Sequence, residues 1–328
     1  MCKKKEKNMN IELCKYKNNA SCAFSFTFDD GCYYDSTMEV IECFKDAYEK
    51  YGVNIKATVG ITVAFMHERL INMWREAISS GYFDVASHTF GHDIAFCKNT
   101  PYEVMKNDCQ RVQSWLRETF PGQKANTFIF AGGNRDEEGA RVLSEYFFAC
   151  RAGGEGVNYA GKIDWLDLHC LTAMLSKDLS YFTDYIDKTL ETGGWGIQMN
   201  HWITHKSEDV FHSQNADIFK VECDYLAKKS QGGKIWTGSF EEVGAYLRKY
   251  ENSELMVTEE NGKIKVEIVS NSDTPKAILD TELTILINDT GAIYLYGENG
   301  EKTKLLPDEN GNILINTAKM IEIEPVLE

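Results

Sequence analysis

Residues that can do chemistry follow three apolar runs of this chain. Asp29 and Asp30 come directly after CAFSFTF, His88 and His92 follow a run in FDVASHTFGHD, and His201 follows one in GIQMNHW. One carboxylate and two imidazoles can hold a divalent ion such as Zn²⁺ and leave open coordination positions. A second carboxylate can then take a proton from the attacking water, and a third histidine can protonate a leaving group. The residue types predict metal-assisted hydrolysis.

Each of these segments also has a purely structural interpretation. Asp-Gly pairs are common in turns, and two histidines four residues apart often share a helix face. The histidine pair here follows a strand pattern and contains Gly91, which disfavours a plain helix. The segment HWITH offers His201 and His205 as a rival pair of ligands. We prefer the earlier pair because a neighbouring strand end brings it close to Asp30.

The chemistry requires elements that bring distant strand ends together. Between residues 21 and 248, short apolar runs alternate with amphipathic stretches, which is typical of β-α units around a parallel sheet. About eight such strands predict a (β/α) barrel, in which the carboxyl ends of the strands carry the active site. The strand candidates are CAFSFTF, NIKATVGI, FDVASHT, NTFIFAG, FFACRA, LHCLTAM, GIQMNHW and KIWTGS.

Two of the intervening helices have a clear apolar period. One is marked by Val40, Phe44, Ala47 and Tyr51, and the other by Met105, Cys109, Val112 and Leu116. The second helix is preceded by TPYE, which predicts Thr100 as the N-cap of a capping box completed by Glu103.

After residue 250 the helical period gives way to alternating apolar and polar residues. Asn261-Gly262 is a strong hairpin signal, and further turns are expected near Gly291 and Gly311. We therefore divide the chain into an N-terminal tail (1–20), a (β/α) barrel (21–250) and a small all-β accessory domain (251–328). The accessory domain contains no histidine or cysteine, so we expect it to pack or bind rather than react.

The charge and composition exclude several classes of partner. The formal net charge of −15 disfavours nucleic acid and anionic membranes, which both require clustered cations. No apolar stretch is long enough to span a bilayer. Ten cysteines without a CxxC pair predict reduced thiols, with Cys22, Cys43, Cys109 and Cys150 in the core. As written the chain is expected to be cytoplasmic, with export or lipid anchoring through Cys2 as the alternative.

The motifs TFDDG and SHTFGH, followed by a strand ending in histidine, resemble the polysaccharide deacetylases, the NodB-homology domain of carbohydrate esterase family 4. The resemblance covers about residues 20 to 248. It implies a distorted (β/α) barrel that removes acetyl groups from N- or O-acetylated sugars. It also implies one divalent metal, usually Zn²⁺, with Co²⁺, Ni²⁺, Mn²⁺ or Fe²⁺ as other options.

The resemblance also assigns roles to individual residues. It matches Asp30, His88 and His92 to the metal ligands, Asp29 to the general base and His201 to the general acid.

Two family motifs fit this chain poorly. The segment FIFAGGNR lacks, in register, the arginine and prolines that many members have after the fourth strand, so either Arg135 or Arg151 is left to steer Asp29. Asp164 and Trp165 are possible counterparts of the family's Asp-Trp pair.

Substrate contacts are expected from aromatic rings and backbone amides. Sugar rings stack on exposed aromatic faces, and the amides of a glycine pair can bind an oxyanion. The substrate-binding candidates are Tyr33, Gly132, Gly133, Arg151, Trp165 and Trp202, with Trp195 as a further ring. Two other functions stay open: a hydrolase of small amides on the same fold, and a non-catalytic carbohydrate-binding protein. A structural zinc site is disfavoured because such sites usually have four protein ligands.

Overall fold

The computed structural model describes residues 9–132, 135–206, 213–288, 290–297 and 299–326. Cys2 and Gly133, both singled out from the sequence, lie outside these ranges. The helices are α1 (Tyr34–Tyr51), α2 (Glu68–Ser79), α3 (Tyr102–Thr119), α4 (Glu137–Ser144), α5 (Leu179–Thr192), α6 (Ala216–Ser230) and α7 (Phe240–Glu251), with short 3₁₀ turns at Lys17–Asn19, Val63–Phe65, Gln231–Gly233 and Lys276–Ile278.

The strands are β1 (Asn10–Leu13), β2 (Cys22–Phe28), β3 (Ala57–Ile61), β4 (Phe83–Ser87), β5 (Thr127–Ile129), β6 (Ala149–Arg151), β7 (Leu171–Thr172), β8 (Trp195–Asn200), β9 (Trp202–Thr204), β10 (Ser213–Asn215), β11 (Ile235–Trp236), β12 (Ser253–Glu260), β13 (Lys263–Ser270), β14 (Leu283–Asn288), β15 (Ile293–Tyr296), β16 (Lys302–Leu305), β17 (Ile313–Thr317) and β18 (Ile321–Pro325).

The described residues form two compact units. One unit is Ser21–Gly244, and the other combines the residues before Ser21 with those after Gly244. The first unit contains a curled parallel sheet in the order β6-β5-β4-β3-β2-β8-β7, and β11 pairs with the start of β2. All eight predicted strands belong to this sheet. Its two ends approach each other where Leu168, just before β7, pairs with Arg151 of β6. The predicted α/β class and distorted (β/α) barrel are therefore confirmed.

Strand β2 shows how the sequence builds this sheet. All seven of its residues are buried, as expected for a strand covered on both faces. Phe26 contacts Phe44 of α1 and Phe219 of α6, so this side of the strand faces the helices. Ser25 points the other way and bonds the Gly238 carbonyl at 2.8 Å. Because side chains alternate along a strand, Asp29 continues the inward series.

Both predicted helices are present, and their apolar positions are buried except for Tyr51, which is half-buried. Residues 105, 109, 112 and 116 of α3 are each fully inaccessible to solvent. The predicted capping box is wrong, since α3 begins at Tyr102 with Pro101 as its N-cap and without a side-chain cap. The proline occupies the cap position itself, so Thr100 lies one residue too early to cap the helix. Among the described residues, no helix combines the length and apolar character needed to cross a membrane.

The second unit is made of antiparallel strands around its own core. One sheet has the order β12-β13-β18-β15-β16 and the other β1-β14-β17. Asn261 and Gly262 both have positive φ in the β12–β13 turn, as the hairpin signal predicts. The core comprises Val266, Ile285, Ile287, Ile293, Ile313, Ile315, Ile321 and Ile323.

The N-terminal tail requires a correction. Asn10–Leu13 form β1, which pairs antiparallel with β14. Ile11 and Leu13 pack against the core of the second unit. The four-residue strand β1 therefore pairs with β14, which lies near the other end of the sequence. A four-residue strand is too short to stand out in the sequence without that partner.

The four cysteines predicted for the core, at positions 22, 43, 109 and 150, are all buried. This agrees with their apolar sequence surroundings, because an unpaired cysteine packs as a small hydrophobic residue.

Candidate active site

The segment Asp29-Asp30-Gly31 turns sharply at the carboxyl end of β2. Asp30 and Gly31 both lie in the left-handed region, with φ of 70° and 72°. The Gly31 N–H donates to the Asp29 carbonyl at 2.9 Å, and the Trp74 indole donates to the Gly31 carbonyl at 2.7 Å. Adjacent residues of a strand face opposite sides, and the turn at Asp30 ends that alternation. Both carboxylates therefore lie at the mouth of the barrel. Gly31 adopts a left-handed backbone conformation that residues with a side chain rarely adopt.

His88 and His92 lie on the loop that follows β4. The Nε2 atoms of both rings are 3.5 Å from Asp30 Oδ1, and the two ring centroids are 5.0 Å apart. His88 is buried, whereas the His92 side chain is 36 % exposed. The pair is therefore not on a helix face, and it meets the strand end that carries Asp30.

This cluster fits a divalent metal ion. The ligand atoms of Asp30, His88 and His92 all lie within 4.8 Å of one another. His88 Nδ1 is 2.8 Å from the Ile129 carbonyl, which can only accept, so the neutral ring carries its proton there and turns the Nε2 lone pair towards Asp30. Among the described residues, neither Asp30 Oδ1 nor His88 Nε2 has a hydrogen-bond partner. A lone pair facing a carboxylate is repulsive unless a cation lies between them, and histidine ligands commonly bond a carbonyl in this way.

Arg151 of β6 is the arginine that contacts Asp29. Its Nη2 donates to Asp29 Oδ1, and both side chains are almost completely buried. Burial raises the pKa of Asp29, but Arg151 and the His88 and His201 rings outweigh it and hold the pKa below its ordinary value. Arg135, the other possibility from the sequence, instead pairs with Asp167 and donates to the Leu166 carbonyl at 2.6 Å.

His201 follows β8 directly and lies on the same cavity as Asp29. Burial lowers the pKa of His201, and Asp29 and Asp30 oppose this shift without cancelling it. The rival ligand His205 lies elsewhere, because its Nε2 is 2.8 Å from Glu39 and its side chain is 62 % exposed. The earlier histidine pair is therefore the one that the fold brings to Asp30.

A cavity of about 360 Å³ opens beside these residues. Of the residues that the sequence singled out, Asp29, His88, His92, Gly132, Arg151 and His201 line it. Five further lining residues were not predicted from the sequence. Each lies within two residues of the carboxyl end of a barrel strand, and that position is the signal that could have found them. They are Phe130, Ala152, Gly153, Thr172 and Met199.

Three aromatic residues follow the adjacent strands β3, β2 and β8. Phe65 is 40 % exposed, and its ring stacks on His92 with a centroid distance of 6.0 Å and an angle of 24°. The Tyr33 and Trp202 rings pack on each other at 4.1 Å. Burial raises the pKa of Tyr33, and the Cys32 thiol and the Asp30 carboxylate raise it further.

Two tryptophans predicted as sugar platforms lie away from the cavity. Trp195 is fully buried, stacks on Phe240 and donates its indole N–H to Ser25 at 3.0 Å. Its position at the start of β8 places it in the barrel core, so this prediction is wrong. Trp165 does not line the cavity, and its carbonyl accepts the N–H of Cys150.

Asp164, the other residue of the predicted Asp-Trp counterpart, does not line the cavity either. Asp164 is 66 % exposed and lies 3.9 Å from Arg135. Its carboxylate also accepts the backbone N–H of Leu166, which is a local turn contact. A dipeptide match carries no information about which side of a loop faces the cavity.

Comparisons with known proteins relate this fold to solved structures. No protein-family model and no curated protein matches the chain. A candidate polysaccharide deacetylase from Mycobacterium smegmatis matches with a TM-score of 0.52 and 10 % identity, over 76 % of this chain and 98 % of that one. The polysaccharide deacetylase BC0361 from Bacillus cereus gives 0.36 and 18 % over 44 % of either chain, and the peptidoglycan deacetylase PdaC from Bacillus subtilis gives 0.38 and 13 % over 68 % and 89 %. The match to the Mycobacterium smegmatis structure shows that the chain has the distorted barrel fold of the polysaccharide deacetylases, as its motifs predict.

Proposed function

We propose that this protein is a metal-dependent hydrolase that removes N-acetyl or O-acetyl groups from a carbohydrate. One observation carries the proposal: Asp30, His88 and His92 converge in one cluster, and the two histidines of that cluster line a single cavity together with the Asp29–Arg151 pair and His201. A carbohydrate-binding protein needs none of this constellation, because sugar recognition requires neither a buried carboxylate–arginine pair nor a cluster of metal-ligand type.

The metal-binding residues would be Asp30 and the two histidines. A divalent ion held there supplies Lewis acidity, which polarises the acetyl carbonyl and lowers the pKa of a water molecule. Zn²⁺ suits a site with two imidazoles and one carboxylate, and Co²⁺, Ni²⁺, Mn²⁺ and Fe²⁺ accept the same donors.

Asp29 is the proposed general base. Its Oδ1 is held by Arg151, which fixes the carboxylate against the wall of the cavity and keeps it ionised. From this position it takes a proton from the attacking water. Backbone N–H groups near Gly132 are proposed to stabilise the negative charge on the carbonyl oxygen, as in other acyl-transfer sites.

His201 is the proposed general acid. It lies on the same cavity as Asp29 and donates a proton to the departing amine or alcohol. An amide needs this proton more than an activated ester does, because an amine anion is a far poorer leaving group than an aryl oxide.

The size of the cavity is also compatible with a small acetamide, which is the second candidate substrate. At about 360 Å³ it lies near the lower end of ligand-binding pockets, which suits a single acetylated sugar residue or a smaller amide. An acetate-release screen of the metal-loaded protein against acetylated glycans, oligosaccharides and small acetamides distinguishes these substrates.

Two carboxylate variants test the assignment of roles. We expect Asp29→Asn to keep the metal and to lower turnover by about 100-fold or more, the scale of general-base catalysis. Asp30→Asn should instead release the metal. If Asp29→Asn loses the metal while Asp30→Asn keeps it and stays active, the two roles are reversed. Equal activity of both variants and the wild type would exclude the hydrolase mechanism.

A further inference from the structure

The segment from His88 to His92, here called the histidine loop, has a strained backbone. Thr89 and His92 have φ of 67° and 62°, in the left-handed region that residues other than glycine rarely occupy. Each such residue costs about 1 kcal/mol or more, and Thr89 is β-branched, which makes the conformation less favourable still. The loop therefore needs contacts that stabilise this conformation, since both proposed imidazole ligands depend on it.

The short segment that follows β3 supplies part of these contacts. The Thr62 hydroxyl donates to the His88 carbonyl at 3.1 Å, and the Ala64 N–H donates to the Phe90 carbonyl at 2.8 Å. Within the loop, the Thr89 hydroxyl accepts the N–H of His92 at 2.9 Å. None of these bonds involves the N–H of Phe90, which lies midway between the two histidines and has a different partner.

That partner is Asp108 of α3. The Phe90 N–H donates to Asp108 Oδ1 at 2.9 Å, and Asp108 is only 2 % exposed. Among the described residues, Asp108 takes part in no ion pair, and its Oδ2 is buried without a hydrogen-bond partner. The neighbouring buried positions of this helix, Met105 and Cys109, are apolar, so an apolar residue would suit the packing of α3 better.

A second residue of α3 holds the same loop residue. The Arg111 guanidinium lies 3.8 Å from the centroid of the Phe90 ring, one helical turn beyond Asp108. Helix α3 thus contacts Phe90 through its backbone and through its ring. A buried carboxylate is unfavourable for folding. Because the Asp108 carboxylate bonds the Phe90 N–H, we expect it to stabilise the histidine loop rather than the core.

We infer that Asp108 is a positioning residue, which holds the histidine loop in the conformation that directs His88 and His92 towards Asp30. It touches neither the proposed metal position nor the cavity, and it acts only through the Phe90 N–H. The inference rests on the proposed metal-dependent function. Outer contacts of this kind typically contribute about 10- to 100-fold to metal affinity.

The test compares three variants by metal affinity, measured by competition with a chelator and with Zn²⁺ and Co²⁺ as probes. Asp108→Leu fills the volume without an acceptor, and we expect metal affinity to fall by about 10- to 100-fold. Asp108→Asn keeps an acceptor oxygen in place and should stay within about three-fold of the wild type. Val112→Ala, a buried change on the same helix, controls for a general loss of stability.

Hydrogen exchange of the histidine loop provides a second readout that needs no metal. Faster exchange in residues 88–92 of Asp108→Leu, but not of Val112→Ala, supports the inference. This comparison tests the inference even when Asp108→Leu binds too little metal for its affinity to be measured. Equal effects of Asp108→Leu and Val112→Ala on both readouts, or no effect of Asp108→Leu, would overturn it. A wild-type protein that binds metal but releases no acetate would refute the proposed function and leave this inference standing.

Discussion

Arg151 and Asp29 form a buried ion pair between strands that lie 122 residues apart in the chain. The pair joins the end of β6 to the end of β2 across the mouth of the barrel. Removing one partner of such a pair leaves an uncompensated buried charge, which typically destabilises a protein by about 3–5 kcal/mol. The pair therefore affects both the stability of the barrel and the orientation of the proposed base.

Arg151→Lys tests the orientation of Asp29. Lysine keeps the charge but lacks the planar fork of the guanidinium, so the carboxylate is held less rigidly. We expect turnover to fall by about 10- to 100-fold while metal content stays near one ion per chain. Arg135→Lys is the matched control, since Arg135 pairs with Asp167. Loss of metal from Arg151→Lys, or equal effects of the two changes, would contradict this role.

The ligand assignment predicts one tightly bound divalent ion per chain. Elemental analysis of protein purified without chelator should detect it, and the double variant His88→Ala with His92→Ala should lose it. His205→Ala should keep full occupancy because that ring contacts Glu39. Full metal occupancy in the double variant would show that the ligands are wrongly assigned.

The exposed Phe65 ring and the half-buried Trp202 ring predict how the protein distinguishes a sugar from a small amide. Phe65→Ala and Trp202→Ala should each raise KM for an acetylated sugar by about five-fold, because an aromatic contact contributes about 1 kcal/mol. The KM for a minimal acetamide, which does not reach these rings, should be unchanged. Tyr48→Ala, at a 55 % exposed ring on α1, serves as the control. An equal rise for both substrates would indicate damage to the site instead of a lost sugar contact.

Replacing His201 should separate substrates by their leaving groups. His201→Ala should keep the metal and lose most activity on acetamides, whose amine must be protonated to leave. Activity on an aryl acetate should fall much less, since the aryl oxide departs without help. Equal losses on both substrates would argue against a general-acid role for His201.

The buried Glu222 predicts that stability falls as the pH rises. Burial raises the pKa of Glu222 from 4.5 to about 8, and the Gln214 and Gln198 side-chain amides at 2.5 and 3.4 Å only partly oppose the shift. The folded chain therefore binds this proton more tightly than the unfolded chain. Its contribution is fully present below about pH 4.5 and is lost as the pH rises through about 8, at about 1.4 kcal/mol per pKa unit.

Thermal unfolding of Glu222→Gln measures this contribution. The Tm of the wild type should drop between about pH 5 and about pH 8.5, and the drop should be smaller in Glu222→Gln. Burial also raises the pKa of Asp84, to about 7. Asp84 therefore acts in the same direction and accounts for part of the drop in Tm that remains in Glu222→Gln. The exposed Glu76→Gln should keep the wild-type pH dependence. An unchanged slope in Glu222→Gln would show that this carboxyl does not bind the extra proton.

Local patterns in the sequence were enough to predict most of the barrel and part of the site. Each predicted barrel strand is a short apolar run, and burial of such runs on both faces dictates a parallel sheet covered by helices. The polar residues that end these runs had to meet at one edge of the sheet, which is why Asp30, His88 and His92 were predicted together. The Asn261-Gly262 turn followed from backbone conformations that few other dipeptides adopt.

The tertiary structure decided the contacts between residues that are distant in sequence. Arg151 and Arg135 look equivalent in the sequence, and only the order of strands around the barrel brings the first to Asp29. The same holds for β1, which finds β14 more than 250 residues away, and for Asp108, whose partner is a backbone N–H on another element. A sequence pattern encodes the conformation of its own segment, whereas these pairings depend on where the packed core places separate segments. For that reason the residues of this candidate site could be predicted from the sequence, but the contacts that hold them in place could not.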